Sequence, residues 1–79
     1  MRRYASHYLY VPGLGYLKNR VVEVEEGHMV RHLPLEGEEA GTSWLPGVLR
    51  VEEGRVFHYY PYDLNALQPV AGTRRRQLP

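Results

Sequence analysis

Histidines, tyrosines and an arginine-dominated set of cations are the chemically capable side chains of this 79-residue chain. His28 and His32 stand four residues apart, the spacing of a zinc pair on one face of a helix. On a strand, rising about 3.3 Å per residue, the same spacing sets the two α-carbons roughly 13 Å apart, too far for one ion. The neighbouring valines and the Glu25-Glu26-Gly27 turn favour a strand, so the pair reads as ordinary strand histidines and no metal is expected. Ser6, Thr42, Ser43 and Thr73 lack the glycine elbow of an activated hydroxyl, and no histidine can be assigned to them as a base. Glu36, Glu38 and Glu39 fall in a polar loop, where carboxylates are solvated. Cysteine is absent, which removes disulfides and thiolate metal sites. The pattern therefore predicts no catalytic residue and no cofactor.

Binding chemistry is better represented. His7-Tyr8-Leu9-Tyr10 and His58-Tyr59-Tyr60-Pro61-Tyr62 echo one another as tyrosine-rich strands led by histidine. Tyrosine suits a strand on its own account, with its ring buried and its hydroxyl wet. It is also favoured, with arginine, at the centres of interfaces, which makes Tyr8, Tyr10, Tyr59 and Tyr60 the candidate interaction surface. Arg2, Arg3, Arg74, Arg75 and Arg76 gather at the two ends of the chain. Aromatic rings beside arginines also suit single-stranded nucleic acid. Against that reading, ten basic residues face nine acidic ones, for a net charge of +1, and no RNA-binding fingerprint of alternating glycine and aromatic residues is present.

The elements that must position these residues are strands. Val24-Glu25-Glu26-Gly27-His28-Met29-Val30 recurs as Val51-Glu52-Glu53-Gly54-Arg55-Val56-Phe57, with apolar alternation on both sides of each Glu-Glu-Gly. Glycine supplies the positive φ of a tight turn, so each copy reads as a hairpin, one pairing Val21–Glu25 with His28–Leu35 and the other Val48–Val51 with Arg55–Tyr60. Val22, Val24, Met29 and Leu33 are expected on one face of the first hairpin, interrupted by Arg31. Tyr4–Val11 reads as a single first strand ended by Pro12-Gly13-Leu14-Gly15. Glu36–Ser43 is a loop with room for one helical turn, and Trp44-Leu45 a brief extended segment ended by Pro46-Gly47. Pro61 ends a strand or lies on an edge. Asp63–Pro69 is a turn or a single helical turn, and Val70-Ala71-Gly72-Thr73 closes a last hairpin whose Arg74–Leu78 returns as a charged edge. The whole predicts one small all-β domain over residues 1–79, a β-sandwich or partly open barrel of two main hairpins plus flanking strands.

Tyr8–Val48 resembles the N-terminal part of the amidohydrolase superfamily, the imidazolonepropionase-like and cytosine-deaminase-like metal-dependent hydrolases. Those chains begin with a small composite β-sandwich ahead of a TIM barrel. Val22–Val30 resembles its hairpin, and Trp44-Leu45-Pro46-Gly47-Val48-Leu49 its apolar segment running into Pro-Gly. In the enzymes, a metal-binding Asp-x-His-x-His follows at once. Here Arg50-Val51-Glu52-Glu53-Gly54 follows, so the resemblance implies an accessory sandwich without hydrolase chemistry. The expectation is a non-catalytic domain acting through protein contacts, as a homodimer or with a protein partner, and the alternative is a small single-stranded nucleic-acid binder. A domain this short buries only about 60% of its surface, which is the motive for self-association. No apolar run reaches the ~20 residues of a membrane span. The N-terminus lacks the apolar stretch of a secretory signal, and the expected location is the cytoplasm.

Overall fold

A computed structural model describes residues 1–37 and 40–79. Among the described residues there are nine strands: β1 Arg2–Ala5, β2 Tyr8–Val11, β3 Gly15–Lys18, β4 Arg20–Glu25, β5 His28–Pro34, β6 Thr42–Trp44, β7 Val48–Glu52, β8 Arg55–Asp63 and β9 Gln68–Gln77. The fold is all-β, one mixed sheet in the order β3-β2-β7-β8-β5-β4-β1-β6, with β9 added to β8. It does not close.

Both Glu-Glu-Gly segments make the expected hairpins. Glu25 pairs with His28 and Glu52 with Arg55, leaving two-residue loops. Both loop residues have positive φ, +50° and +82° at Glu26-Gly27 and +53° and +78° at Glu53-Gly54. That is the requirement of a type I′ turn, whose twist matches the strands it joins. The two turns then meet. Met29 N–H donates to the Gly54 carbonyl at 2.8 Å and Val56 N–H to the Gly27 carbonyl at 3.3 Å, around the His28–Arg55 pair. Met29 and Val56, like Gly27 and Gly54, are equivalent positions of the repeat. The copies thus face each other across a local two-fold axis.

The sheet has to double over on itself. Only Ser6 and His7 separate β1 from β2, yet four strands lie between them in the sheet order. In a flat sheet that is five steps of about 4.8 Å, roughly 24 Å. Three Cα steps from Ala5 to Tyr8 reach about 11 Å. The chain meets this constraint at three corners: Ser6-His7, Asn19 between β3 and β4, and Leu45-Pro46-Gly47 between β6 and β7. Asn19 turns with φ of +54°. Strands β3-β2-β7-β8-β9 form one layer and β5-β4-β1-β6 the other, the arrangement in which bent strands switch sheets. Leu9, Leu49, Val51 and Val56 from the first layer meet Tyr4, Val22 and Val24 from the second, with Leu78 between them. Each such side chain, fully buried, is worth about 1.5–3 kcal/mol.

Several sequence expectations need correction. Tyr4–Val11 is not one strand: the Ser6-His7 corner divides it, and Arg2 and Arg3 join its first half. Gly15–Lys18 is a strand that the sequence reading leaves unassigned. Leu64–Leu67, and not Val70–Thr73, closes the last hairpin, and Asp63 Oδ1 accepts the amides of Asn65 and Ala66 there at 2.9 and 3.0 Å. Val70–Thr73 is instead an irregularity within β9 facing Pro61, so β8 continues through Pro61 to Asp63. In the first hairpin a bulge at Val30 pairs Met29 with Val24 but Arg31 with Glu23. Arg31 therefore leaves the apolar face, and Leu33 lies opposite Val21, away from Val22 and Val24. The helical turn considered within Glu36–Ser43 falls partly on Glu38 and Glu39, outside the described residues.

Candidate interaction face

Alternation along the strands of the first layer sends Leu9, Leu49, Val51 and Val56 to one side and their sequence neighbours to the other, where Val48 and Phe57 are themselves buried. Register then aligns those neighbours in two rows across five strands. One row is Tyr16, Tyr10, Arg50, Phe57 and Gln77, and the other is Lys18, Tyr8, Val48, Tyr59 and Arg75. Three of the four tyrosines expected at the surface, Tyr8, Tyr10 and Tyr59, are brought together here.

Arg50 is the hub. Its guanidinium carbon lies 4.1 Å from the centre of the Tyr10 ring and 5.7 Å from that of Tyr59. Its Nη1 donates to the Tyr16 hydroxyl at 3.1 Å, and its Nε is 3.6 Å from Glu52 Oε2. The Tyr16 hydroxyl is also 2.9 Å from that of Tyr62 and donates to the Leu67 carbonyl at 3.2 Å. Tyr16 packs edge-on against Tyr10 and Tyr8, at 4.9 and 6.1 Å between ring centres. A second knot joins the far strands: Tyr59 donates to Glu52, while Arg75 donates to the Tyr59 hydroxyl at 3.0 Å and to Glu52 Oε1 at 2.7 Å.

These contacts shift titrations in opposite directions. Burial, reinforced by the Tyr62 hydroxyl, raises the Tyr16 phenol above its ordinary value. Burial and the hydrogen bond to Glu52 raise Tyr59 likewise. Burial pushes the Glu52 carboxyl up, but the Tyr59 and Arg75 hydrogen bonds outweigh it and the group ends below its ordinary value. Cations already sit over the rings of this face: Lys18 over Tyr8, Arg50 over Tyr10 and Arg75 over Phe57. Such pairs hold the rings in place.

Tyr60 lies apart. It is one residue from Tyr59 on β8, so its ring projects from the other side of the sheet, half-exposed and stacked on His58 at 6.2 Å. Its neighbourhood is the Leu45–Gly47 corner. His58 Nε2 lies 2.6 Å from the Pro46 carbonyl, which can only accept, so the ring carries its proton there. Gly47 N–H donates to His7 Nδ1 at 3.2 Å, and Ser6 Oγ donates to the Gly47 carbonyl at 2.8 Å. The first and third corners are thus tied together, with His7 edge-on to Trp44 at 5.1 Å.

On the outside of the second layer, Arg3, Glu23 and Arg31 are aligned across β1, β4 and β5. Glu23 is 1% exposed, held by Arg3 Nε at 2.8 Å and by Arg31. The Arg31 hydrogen bond prevails over burial and lowers its carboxyl below the ordinary value.

His28 and His32 both lie on β5, as the strand reading required. The hydroxyls of Ser6 and Thr73 brace backbone: Thr73 Oγ1 donates to the Pro61 carbonyl at 2.6 Å and accepts from Val70 N–H at 2.8 Å. Among the described residues, no group of three or more His, Cys, Asp or Glu could hold a metal ion. The sequence reading missed Tyr16, Arg50, Glu52 and Tyr62. Pro12–Gly15 read as a hairpin loop would have set Tyr16 opposite Tyr10. No protein-family model, curated protein or solved structure matches the chain, and nothing in these comparisons links it to the amidohydrolase superfamily.

Proposed function

We propose that this chain is a non-catalytic β domain that acts through protein–protein contacts, associating with a second copy of itself through the tyrosine–arginine face. The supporting observation is the Arg50 hub, which fixes partly buried tyrosines on the five-stranded layer. Rings already immobilised lose little rotamer freedom on docking, and tyrosine and arginine dominate the energy of interfaces. The face also carries both signs of charge, Lys18, Arg50 and Arg75 against Glu52. A two-fold contact can pair such a surface with itself.

Sedimentation velocity on the full chain from 10 to about 300 μM tests the reading. A concentration-dependent dimer is expected, weakened in Tyr8→Ser/Tyr10→Ser and in Lys18→Glu but retained in Tyr60→Ser, whose ring lies on the other side. A monomer throughout the range refutes it. The nucleic-acid alternative is disfavoured by the near-balanced charge of the chain. A salt-dependent gel shift with oligothymidylate, lost in the Tyr8→Ser/Tyr10→Ser variant, would reverse that preference.

A further inference from the structure

We propose that the outer edge of β9 is a docking site for an extended acidic segment of a partner protein, which adds to the sheet as a further strand. β9 is ten residues long and pairs with β8 alone among the described residues. Leu78 N–H donates to the Val56 carbonyl at 2.9 Å, so the Leu78 amide faces β8. Antiparallel pairs alternate, so His58–Arg76 is a bonded pair, and Phe57–Gln77 and Tyr59–Arg75 are not bonded. The backbone N–H and C=O of Arg75 and Gln77 therefore point away from β8, the template that strand addition uses.

The side chains define what fits. Arg75 is committed to Glu52 on the tyrosine face. Arg74 and Arg76 project from the opposite face, exposed, and form no salt bridge among the described residues. Two residues apart on a strand, they are spaced by about 7 Å, the repeat of same-face side chains on any extended chain. Carboxylates at alternate positions of an added strand meet them in register, and guanidinium–carboxylate pairs are the strong, geometrically specific kind. A second copy of β9 would set arginine against arginine across the pair, which is how charged edges deter self-pairing. Nucleic acid could use the guanidiniums but has no ladder to match alternating N–H and C=O. The edge uses the backbone of Arg75 and Gln77 and the side chains of Arg74 and Arg76, and none of the tyrosines.

The test is fluorescence anisotropy of a labelled heptapeptide of alternating glutamate and valine, titrated with the full chain. Saturable binding is expected. N-methylation of alternate peptide amides should weaken it at least tenfold against the unaltered protein, as should Arg74→Glu/Arg76→Glu, while Tyr8→Ser/Tyr10→Ser leaves it within twofold. The Arg75 and Gln77 amides should gain hydrogen-exchange protection on binding. No saturable binding, or equal binding of the N-methylated peptide, overturns the proposal. So does oligothymidylate that displaces the peptide at an equal or lower concentration. Self-association abolished by the charge reversal would assign the edge to a second copy and overturn it too.

Discussion

Gly47→Ala is the substitution that best probes how the two layers are joined. Gly47 is buried at the third corner with φ of +99°, and a Cβ there would overlap the carbonyl oxygen of Tyr59 and touch Tyr60 Cδ1 and Cβ at 3.2 and 3.3 Å. Two costs follow. Placing a Cβ at positive φ costs roughly 1–2 kcal/mol. Displacing a strand backbone oxygen, which cannot rotate away as a side chain tip can, adds roughly 1–3 kcal/mol. Gly13 separates the terms: its φ is +87°, and an added Cβ meets nothing within 4 Å. Gly13→Ala should show the first cost alone. A domain of this length has a total stability of about 4–12 kcal/mol, at ~0.05–0.15 kcal/mol per residue. Each kcal/mol lowers its midpoint by about 4–8 °C. Gly47→Ala should therefore melt at least ~4 °C below Gly13→Ala in a thermal scan followed by far-ultraviolet circular dichroism, and urea midpoints should fall in the same order. Equal loss in the two variants would show that the corner yields, and that the packing of Gly47 against β8 does not set the layer geometry.

The carboxyl of Glu23 is held below its ordinary value by Arg31 and Arg3. Its stabilising contribution should be complete above the unfolded glutamate pKa, ~4.3, and lost as pH falls through the lower folded value. Urea unfolding between pH 7 and 3 should show a steeper acid loss in the unaltered chain than in Glu23→Gln, and parallel curves would exclude the effect. At alkaline pH the sign reverses. Tyr16 and Tyr59 are raised, so their contributions persist below the unfolded tyrosine pKa, ~10, and disappear as pH climbs through the folded values. Phenolate absorbance should reveal late-titrating tyrosines, reduced in number by Tyr16→Phe, and a single ordinary transition would refute this. Tyr16→Phe should also cost about 1 kcal/mol at neutral pH, because Arg50 and Tyr62 lose a partner, and an unchanged urea midpoint would count against the hub.

The alternating segments and the two Glu-Gly turns determine the all-β class, both main hairpins and even their turn type, because a two-residue loop with positive φ leaves one good solution. Those are local constraints, satisfied within a few residues. Arg31 marks where local reasoning stops. Its place in the pattern looks like a break in an apolar face, yet the bulge at Val30 turns it onto Glu23, and a bulge depends on what the neighbouring strands offer. Tyr8, Tyr10 and Tyr59 were legible as tyrosines on outward positions. Tyr60 had to lie on the opposite side from Tyr59, since side chains on a strand alternate, and only the assigned register makes that binding. Tyr16, Arg50 and Glu52 could not be joined to them by sequence, because β2 meets β7 through a parallel pairing forty residues apart, and such a pairing is chosen by the closing of the core. The doubling of the sheet likewise belongs to the tertiary structure. Ser6-His7 can bridge β1 and β2 only when the two layers stack, and the apolar faces of Leu9, Leu49, Val22 and Val24 supply the burial that stacks them.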